Sequence, residues 1–374
     1  MIAAPPISQG LLPHLNAWPG YFTPQDCMPI IEGSSGNRLH STGRPGGKGE
    51  QQPGDPHARK GGETSGSDFH ISVFPQEAIH FLNSGPGKLI VDGTVGGGGH
   101  TRRILASGAL TLGLDQDEDA LTYARDKIEP SASEQIALIR TNFRHLRELL
   151  DECRIDGVDG ILVDLGVSSY QIDNPDRGFS FRGDGPLDMR MDTSAACTAA
   201  DLVNTLPESE LADIIYRYGE ERSSRRIARA IVERRAAMPF QTTMDLATCI
   251  EQVKPRRGKK THPATLTFQA LRIAVNDELG ALEKLLEDSV ACLRPGGRLV
   301  VITFHSLEDR IVKRFIRSRS TAEIDRPEWP APRPNPEHSF NTVLRKALSP
   351  SGEEITTNPR ARSAKLRVAE RLAS

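Results

Sequence analysis

Short apolar runs alternate with amphipathic stretches along most of the chain. Strands are predicted at residues 88–95, 110–115, 136–139, 161–165 and 299–304. Helices are predicted between them at residues 100–106, 117–128, 144–153 and 277–293. Strands that alternate with helices form βαβ units, which build a parallel sheet. The pattern therefore predicts an α/β fold with a doubly wound, Rossmann-like sheet.

The strand pattern breaks once, because residues 165 and 299 are too far apart for one crossover connection. Residues 172–271 carry no strong strand pattern, but they do carry helical patterns, at 208–218 and 223–237. We predict a mostly helical insertion here, within an α/β domain formed by residues 68–171 and 272–374. Residues 342–348 and 365–369 predict a closing antiparallel hairpin.

The N-terminal part of the chain differs in composition from the rest. Residues 1–67 hold 9 Pro and 12 Gly, a content typical of disordered sequence, so we predict an extension without chemistry. Residues 1–37 contain no Lys or Arg, unlike a signal or transit peptide, and no apolar run approaches the ~20 residues of a membrane span. The five cysteines form no CxxC pair, which favours reduced thiols in a cytoplasmic protein.

A glycine run, VDGTVGGGGH at residues 91–100, follows the first predicted strand. Glycines let a ligand approach the backbone closely, and the next helix directs its N-terminus at that ligand. Asp115 ends the second strand, where a carboxylate can hold two ribose hydroxyls. Asp92 would repel a pyrophosphate, whereas it suits the ammonium group of a methionine moiety directly or through water. The run therefore favours S-adenosylmethionine over NAD.

Asp164 ends the fourth predicted strand, and open parallel sheets bind ligands beyond the carboxyl ends of their strands. Its carboxylate can accept a hydrogen bond from an exocyclic amine or from the cofactor. Ser168 and Ser169 follow and can line the site, and Tyr170 can stack on a flat ring. The Asp/Asn-Pro-Pro-aromatic loop that amino-methyltransferases often carry at this place is absent. Residues 173–192 predict either a polar surface loop or a lid that orders over the substrate.

Charge is unevenly distributed, although the net charge of the whole chain is only -2. Residues 222–260 hold 11 Lys and Arg against 3 Asp and Glu, and residues 341–374 hold 7 against 3. Helical spacing puts most of one arginine set on a single face, and a second set lies in a loop. These two sets are Arg222, Arg225, Arg226 and Arg229, and Arg256, Arg257, Lys259 and Lys260. A single basic patch is usually a solvated face. These two sets and the basic stretch 341–374 make three patches around one predicted crevice, which favours contact with RNA phosphates.

Three histidines are weaker candidates for a role in the site. His305 follows the fifth predicted strand, where it either faces the substrate or begins the next helix. His70 and His262 have no comparable position after a predicted strand.

Several long motifs together are specific enough to indicate a protein family. They are DGTVGGGGHT, DGILVDLGVSSYQIDNPDRGFSFRGDGPLDMRMD, YGEER, RIARAIVERR, HPATLTFQALRIAVNDEL, LRPGGRLVVITFHSLEDRIVKRF and NPRARSAKLRVAER. Over residues 70–371 the chain resembles the RsmH/MraW family of bacterial 16S ribosomal RNA (cytosine-N4)-methyltransferases. The resemblance implies a class I methyltransferase fold with a helical insertion and S-adenosylmethionine as cofactor. It also implies a substrate cytosine in the decoding region of the small ribosomal subunit, with no membrane or DNA partner.

The resemblance also implies which residues contact the cofactor. Matched motif to motif, they are Gly98, Gly99, His100, Asp115, Phe143, Asp164 and Gln171. Asp164 is in addition the predicted catalytic acceptor for a hydrogen of the N4 amine, and no metal is expected. The chain departs from the family at Val95 and Gly97, where aromatic and basic residues are common, and residues 318–336 match no family motif.

Three alternatives remain open at the level of sequence. An NAD-dependent oxidoreductase would bind a nicotinamide, against the argument from Asp92. A non-catalytic RNA-binding assembly factor would carry a degraded cofactor loop, whereas this loop is intact. The third alternative keeps the chemistry but directs it at another RNA.

Overall fold

The computed structural model describes residues 72–256, 258 and 261–373. Its strands are β1 (Leu89–Asp92), β2 (Leu110–Asp115), β3 (Ile136–Arg140), β4 (Val158–Asp164), β5 (Leu293–Thr303), β6 (Glu323–Ile324), β7 (Arg333–Pro334), β8 (Phe340–Thr342) and β9 (Lys365–Arg371). Seven of them form one sheet in the order β3-β2-β1-β4-β5-β9-β8, and β6 pairs with β7 apart from it. The first five strands are parallel, and β9 runs antiparallel to both of its neighbours. This is the predicted doubly wound α/β sheet. An antiparallel pair closes it as expected, but β8 covers Phe340–Thr342 and not the predicted residues 342–348, of which Leu348 forms an isolated bridge with Leu366.

Helices occupy most of the connections between strands. They are α1 (Glu77–Leu82), α2 (Gly99–Ala106), α3 (Glu118–Lys127), α4 (Glu129–Ala132), α5 (Leu146–Glu152), α6 (Ser169–Asp173), α7 (Ala199–Thr205), α8 (Glu208–Gly219), α9 (Ser224–Ala237), α10 (Thr243–Val253), α11 (Thr265–Asn276), α12 (Glu278–Cys292), α13 (Ser306–Ser320) and α14 (Gly352–Thr357). Short 3₁₀ turns lie at Phe143–His145, Pro175–Arg177 and Pro359–Ser363.

The sheet is buried on both faces, as its almost continuous apolar strands require. Along β4, Ile161 and Val163 pack with α5 and α12 on one face, and Leu162 packs with α1 on the other. β5 alternates in the same way between the two core clusters. Helices on both faces hold the carboxyl ends of β1, β2 and β4 in place, and the site is built at those ends.

Between β4 and β5 the chain builds a second core from α7, α8, α9, α10 and α11. Buried side chains there include Ile215, Ile227, Leu246 and Leu271. The expected boundary at residue 272 lies inside α11, since this helix runs from the second core to the sheet domain and ends at Asn276. The division into domains stays a prediction, with α11 belonging to both parts.

Some predictions concern residues that the structure leaves outside its description. These are the extension 1–67, with Cys27, and His70, Arg257, Lys259 and Lys260. The four cysteines within the described residues are free thiols. Among the helices of the described residues, none is long and apolar enough to cross a membrane.

Candidate active site

A cleft of about 1000 Å³, including its open mouth, lies beyond the carboxyl ends of β1, β2 and β4. The strand order reverses between β1 and β4, and doubly wound sheets bind ligands at this point. Six of the seven predicted cofactor residues line it: Gly99, His100, Asp115, Phe143, Asp164 and Gln171. The topology of the sheet has brought together residues that are far apart in the sequence.

The glycine loop closes one end of the cleft and leads into α2. Gly98 has a φ of 73°, a left-handed conformation that favours glycine, and a Cβ there would lie 2.0 Å from Ile128 Cδ1. Gly99 leaves even less room, because its Cβ would lie 1.9 Å from the Ser72 hydroxyl oxygen. Gly98 is not one of the lining residues, since its open side faces Ile128. The loop thus needs glycines for packing as well as for access to a ligand.

Asp115 ends β2 at the wall of the cleft. One carboxylate oxygen accepts the Gly96 N–H at 2.8 Å, and the other accepts the Asp117 N–H at 2.9 Å. Burial raises the pKa of Asp115 to about 7, against the lowering effect of these two hydrogen bonds. The carboxylate is therefore oriented by the backbone and costly to ionise until a ligand donates further hydrogen bonds to it.

Asp164 ends β4 on the other side of the glycine loop. Its backbone N–H donates to Thr94 Oγ1 at 2.7 Å, which fixes the strand end against the loop after β1. His100 Nε2 lies 3.5 Å from Asp164 Oδ2, and both side chains are less than one-tenth exposed. Neither ring nitrogen of His100 makes a hydrogen bond within the described residues. A buried imidazole of this kind on the cleft wall has donor or acceptor capacity for a ligand.

Asp92 lies under the loop instead of on the cleft wall. Its carboxylate accepts the Thr101 hydroxyl at 2.6 Å and the Thr94 N–H at 3.2 Å, and it is 1% exposed. Burial raises its pKa. Asp92 thus ties the loop to α2 and is not among the residues that line the cleft. Its contact with an ammonium group, directly or through water, stays a prediction.

Gln171 is held in place by two neighbours. It closes a capping box with Ser168 at the start of α6, and its Nε2 donates to Asp117 Oδ2 at 2.6 Å. Ser168 lines the cleft as predicted, whereas Ser169 and Tyr170 are not among the lining residues. The expected ring stacking on Tyr170 therefore has no support from its position.

The wall opposite the glycine loop contains two acidic residues that the sequence analysis missed, Glu278 and Glu308. Both oxygens of Glu278 accept from Arg272, at 2.7 and 2.8 Å, and burial raises the pKa of Glu278 despite this partner. Burial would also raise the pKa of Glu308, but the hydrogen bond with His305 and the charges of His305 and Arg272 hold it below its usual value. Arg272 thus compensates the charges of two carboxylates beside the cleft, those of Glu278 and Glu308.

His305 sits in this network as the N-cap of α13. Its Nε2 lies 3.1 Å from Glu308 Oε1, and the ligand atoms of Glu278, His305 and Glu308 are close enough together to hold a metal ion. Because Arg272 contacts both oxygens of Glu278, the group is an ion-pair network in this structure. The helix-start interpretation of His305 fits its position, and His262 has a structural setting against Phe181, with ring centroids 4.5 Å apart.

For three other residues that line the cleft, the sequence gives little or no indication of a role in the site. Asp117 stands two residues after Asp115 and also caps α3, a position where acidic residues are common. Met191 and Asn276 line the cleft because the end of the segment 173–192 and the end of α11 both lie beside it. No local pattern marks these two residues, since their positions depend on long-range packing.

The first predicted basic cluster lies on the surface of the insertion. Arg222, Arg225, Arg226 and Arg229 are all exposed, as the helical spacing indicates. Arg229 lies 3.6 Å from Glu208, whereas the other three make no ion pair within the described residues. Arg256 in the second cluster pairs with Glu251 at 2.8 Å. Of these five described arginines, Arg222, Arg225 and Arg226 therefore carry exposed charge without an ion-pair partner among the described residues.

Comparisons with known proteins give consistent matches. The model of the MraW methylase family matches residues 67–372. Ribosomal RNA small subunit methyltransferase H of Carboxydothermus hydrogenoformans is 50% identical over 305 residues, which is 81% of this chain and 98% of that protein. The protein of the same name from Hyphomonas neptunium is 50% identical over 81% of this chain and 88% of its own length. A solved putative methyltransferase from Streptococcus mutans, in complex with SAH, is 15% identical with a TM-score of 0.35, over 79% of this chain and 96% of that one.

Proposed function

The chain belongs to the MraW methylase family, and from this premise we propose that it methylates the N4 amine of a cytosine in the decoding region of 16S ribosomal RNA. The methyl donor is S-adenosylmethionine. The related proteins that match it along most of its length are named as small-subunit ribosomal RNA methyltransferases. The observation that supports the proposal most is the position of Asp115 and Asp164 on two walls of one cleft, with the glycine loop between them.

The cleft residues fit an adenosyl cofactor with a methionine tail. Asp115 has an oriented carboxylate for the ribose hydroxyls, and Gly99 leaves no room for a side chain where the backbone must come close. His100 and Asp164 form a polar pair for the amino-acid end. When bound, S-adenosylmethionine supplies an activated methyl group on a sulfonium, which is an excellent leaving group.

Asp164 is the proposed acceptor for a hydrogen of the target amine. The lone pair of the cytosine N4 amine is delocalised into the ring, and a hydrogen bond to a carboxylate localises it on nitrogen. Asp164 is oriented for such a role by the bond from its backbone to Thr94, and its side chain lies at the cleft wall. Alignment of amine and methyl group contributes most of the remaining rate. The base must leave its stack to reach the cleft.

The insertion is the proposed surface for the RNA. Arg222, Arg225 and Arg226 form an exposed positive face without ion-pair partners among the described residues. Such a face attracts a polyanion independently of sequence, whereas the cleft selects the base.

Substitution of Asp164 tests the proposed chemistry. We expect Asp164→Asn to lower kcat for methyl transfer to small-subunit RNA by about 100-fold or more, the range of a lost proton acceptor. Asp156→Asn is the matched control, because Asp156 is exposed just before the amino end of the same strand. An Asp164→Asn enzyme with the wild-type rate and wild-type cofactor affinity would contradict the proposed role.

Calorimetry separates the cofactor alternatives. We expect S-adenosylhomocysteine to bind the purified protein and NAD to give no heat of binding. Binding of NAD alone would favour an oxidoreductase instead, and binding of neither would favour the assembly factor.

A further inference from the structure

One buried arginine joins a residue of the cofactor cleft, Asp117, to the segment 177–191, whose last residue, Met191, also lines the cleft. Arg177 lies in the 3₁₀ turn Pro175–Arg177, and its side chain is 8% exposed. Its Nη1 donates to Asp117 Oδ2 at 2.8 Å and to Asp119 Oδ2 at 3.0 Å. Its Nη2 donates to the carbonyl oxygens of Arg190 and Met191, at 3.0 and 3.1 Å. One guanidinium thus connects the start of α3 with both ends of the segment 177–191.

The other side of the same segment is held by Asn276, the last residue of α11. Its Oδ1 accepts the Met191 N–H at 2.7 Å, and its Nδ2 donates to the Met189 carbonyl oxygen at 2.8 Å. The backbone of Met191 is therefore fixed through its N–H by Asn276 and through its carbonyl by Arg177.

These contacts put the Met191 side chain on the cleft wall. Its sulfur accepts a hydrogen bond from Gln116 Nε2 at 3.1 Å, and Gln116 Oε1 in turn accepts from Asn142 Nδ2 at 2.8 Å. Gln116, Asn142 and Met191 all line the cleft, next to the carboxylate of Asp115. The adenosyl end of the cleft is thus completed by a residue from outside the sheet domain's loops.

Asp117 is the point where the two parts meet. It accepts from Gln171 and from Arg177, and it caps α3, while its side chain is 4% exposed. Without Arg177 a carboxylate would remain buried on the cleft wall beside Asp115, with no cation to compensate its charge. A lysine would keep the charge, but it lacks the planar fork that serves two carboxylates and two carbonyls at once.

We propose that Arg177 and Asn276 are positioning residues of the cofactor site, which couple cofactor binding to the order of residues 173–192. The inference rests on the proposed function in that it takes the cleft to be the S-adenosylmethionine site. Met191 and Asp117 line the cleft, so a cofactor bound there would contact both and stabilise the segment held by Arg177. By linkage, a segment that is already ordered binds the cofactor more tightly.

Calorimetry with S-adenosylhomocysteine on the full-length protein tests the proposal. We expect Arg177→Met and Arg177→Lys to weaken its Kd at least about fivefold, the lower range of measured couplings between sites. Asn276→Ala is expected to weaken it less, since only hydrogen bonds of an uncharged group are lost. Arg182→Met is the matched control, because Arg182 is exposed in the same segment, and its Kd should equal that of the wild type.

Hydrogen–deuterium exchange over residues 173–192 gives a readout that general destabilisation would not change. In the wild type, S-adenosylhomocysteine should slow exchange of this segment, and in Arg177→Lys it should not. The KM for S-adenosylmethionine should rise while kcat changes less. If Arg177→Met does not fold, Arg177→Lys alone is used for both measurements, because the lysine keeps the positive charge.

The outcomes separate this proposal from the proposed function. A folded Arg177→Lys with wild-type Kd and wild-type protection of the segment would overturn the coupling. If the wild type itself does not bind S-adenosylhomocysteine, the assignment of the cleft fails, and the coupling fails with it.

Discussion

Charged side chains are buried and paired at the cofactor cleft, whereas they are exposed and, among the described residues, unpaired on the basic face of the insertion, which consists of Arg222, Arg225 and Arg226. At the cleft wall, Asp117 is buried against Arg177, which lies behind it and is also buried, and each of them has several hydrogen-bond partners. On the insertion, Arg225 and Arg226 are exposed and have no ion-pair partner within the described residues. A rigid ligand is bound best by groups that are already oriented, whereas a polyanion needs only exposed positive charge. Changes in the cleft should therefore have large, local effects, and changes on the basic face small effects that depend on salt.

The largest effect is expected at Gly178, in the segment held by Arg177 beside the cleft. Gly178 has a φ of 73°, and a Cβ there would lie 2.3 Å from the Pro186 carbonyl oxygen. We expect Gly178→Ala to lower the free energy of unfolding by about 2–5 kcal/mol, from left-handed strain plus overlap with the backbone. Gly87→Ala is the control, because Gly87 has a φ of 76° but no atom within 4 Å of the added Cβ. If urea unfolding shows that both variants lose the same free energy of unfolding, the packing around Gly178 contributes nothing to stability.

A pH dependence should follow from Asp115, whose pKa burial raises to about 7. Ribose hydroxyls donate best to an ionised carboxylate, so binding of S-adenosylhomocysteine should strengthen up to about tenfold from pH 6 to pH 8, with release of a proton. The folding stability of the free protein should show the opposite trend and fall as the pH rises. A raised pKa favours the protonated folded state, so this contribution to stability is complete below pH 3.8 and is lost as the pH rises through about 7.

Asp115→Asn is the control for this pH dependence. Its affinity should be weaker and flat between pH 6 and pH 8 in calorimetry. A wild-type affinity that is equally flat would contradict the assignment of Asp115 to the ribose.

On the basic face, the double substitution Arg225→Gln and Arg226→Gln should weaken RNA binding only a few-fold. The slope of log K against log salt should fall by about 1.4, for two lost contacts with single-stranded phosphates. The Kd for S-adenosylhomocysteine should stay at the wild-type value. Filter binding at several salt concentrations measures the slope, and an unchanged slope would place the RNA elsewhere.

The smallest effect is expected for an exposed pair in the same insertion. Arg217 and Asp213 lie one helical turn apart at 3.7 Å, and each is more than two-thirds exposed. Arg217→Ala should change the free energy of unfolding by no more than about 0.5 kcal/mol, as for other surface pairs. A loss of several kcal/mol in urea unfolding would remove the contrast between buried and exposed charge.

The sequence predicts the sheet and the polar ends of its strands well, because both follow from local patterns. β2 runs from Leu110 to Asp115 as predicted, and the side chain of Asp115 lies where the strand ends. β5 begins at Leu293, earlier than the predicted residue 299, because Leu293 pairs with Val158 before an irregular Arg-Pro-Gly-Gly stretch that resembles a turn, and regular pairing resumes at Arg298. Apolar runs indicate strands, but irregular strand starts depend on their neighbours.

The residues missed by the sequence analysis share a physical cause. Asn276 bonds Met191, which is 85 residues away, and Arg177 bonds Asp117, which is 60 residues away. Such contacts arise only when the insertion packs back against the cleft. The hairpin of β6 and β7 in the unmatched segment was missed as well, since its prolines indicate a connector.

The central claim is methyl transfer to a ribosomal cytosine, and one measurement tests it most directly. Small subunits from a strain that lacks this activity would be incubated with the purified protein and isotope-labelled S-adenosylmethionine. The RNA would then be digested to nucleosides for mass spectrometry. We expect one labelled product, N4-methylcytidine, located in the decoding region and absent with Asp164→Asn. A label on another atom or in another RNA, or no label at all, would contradict the account.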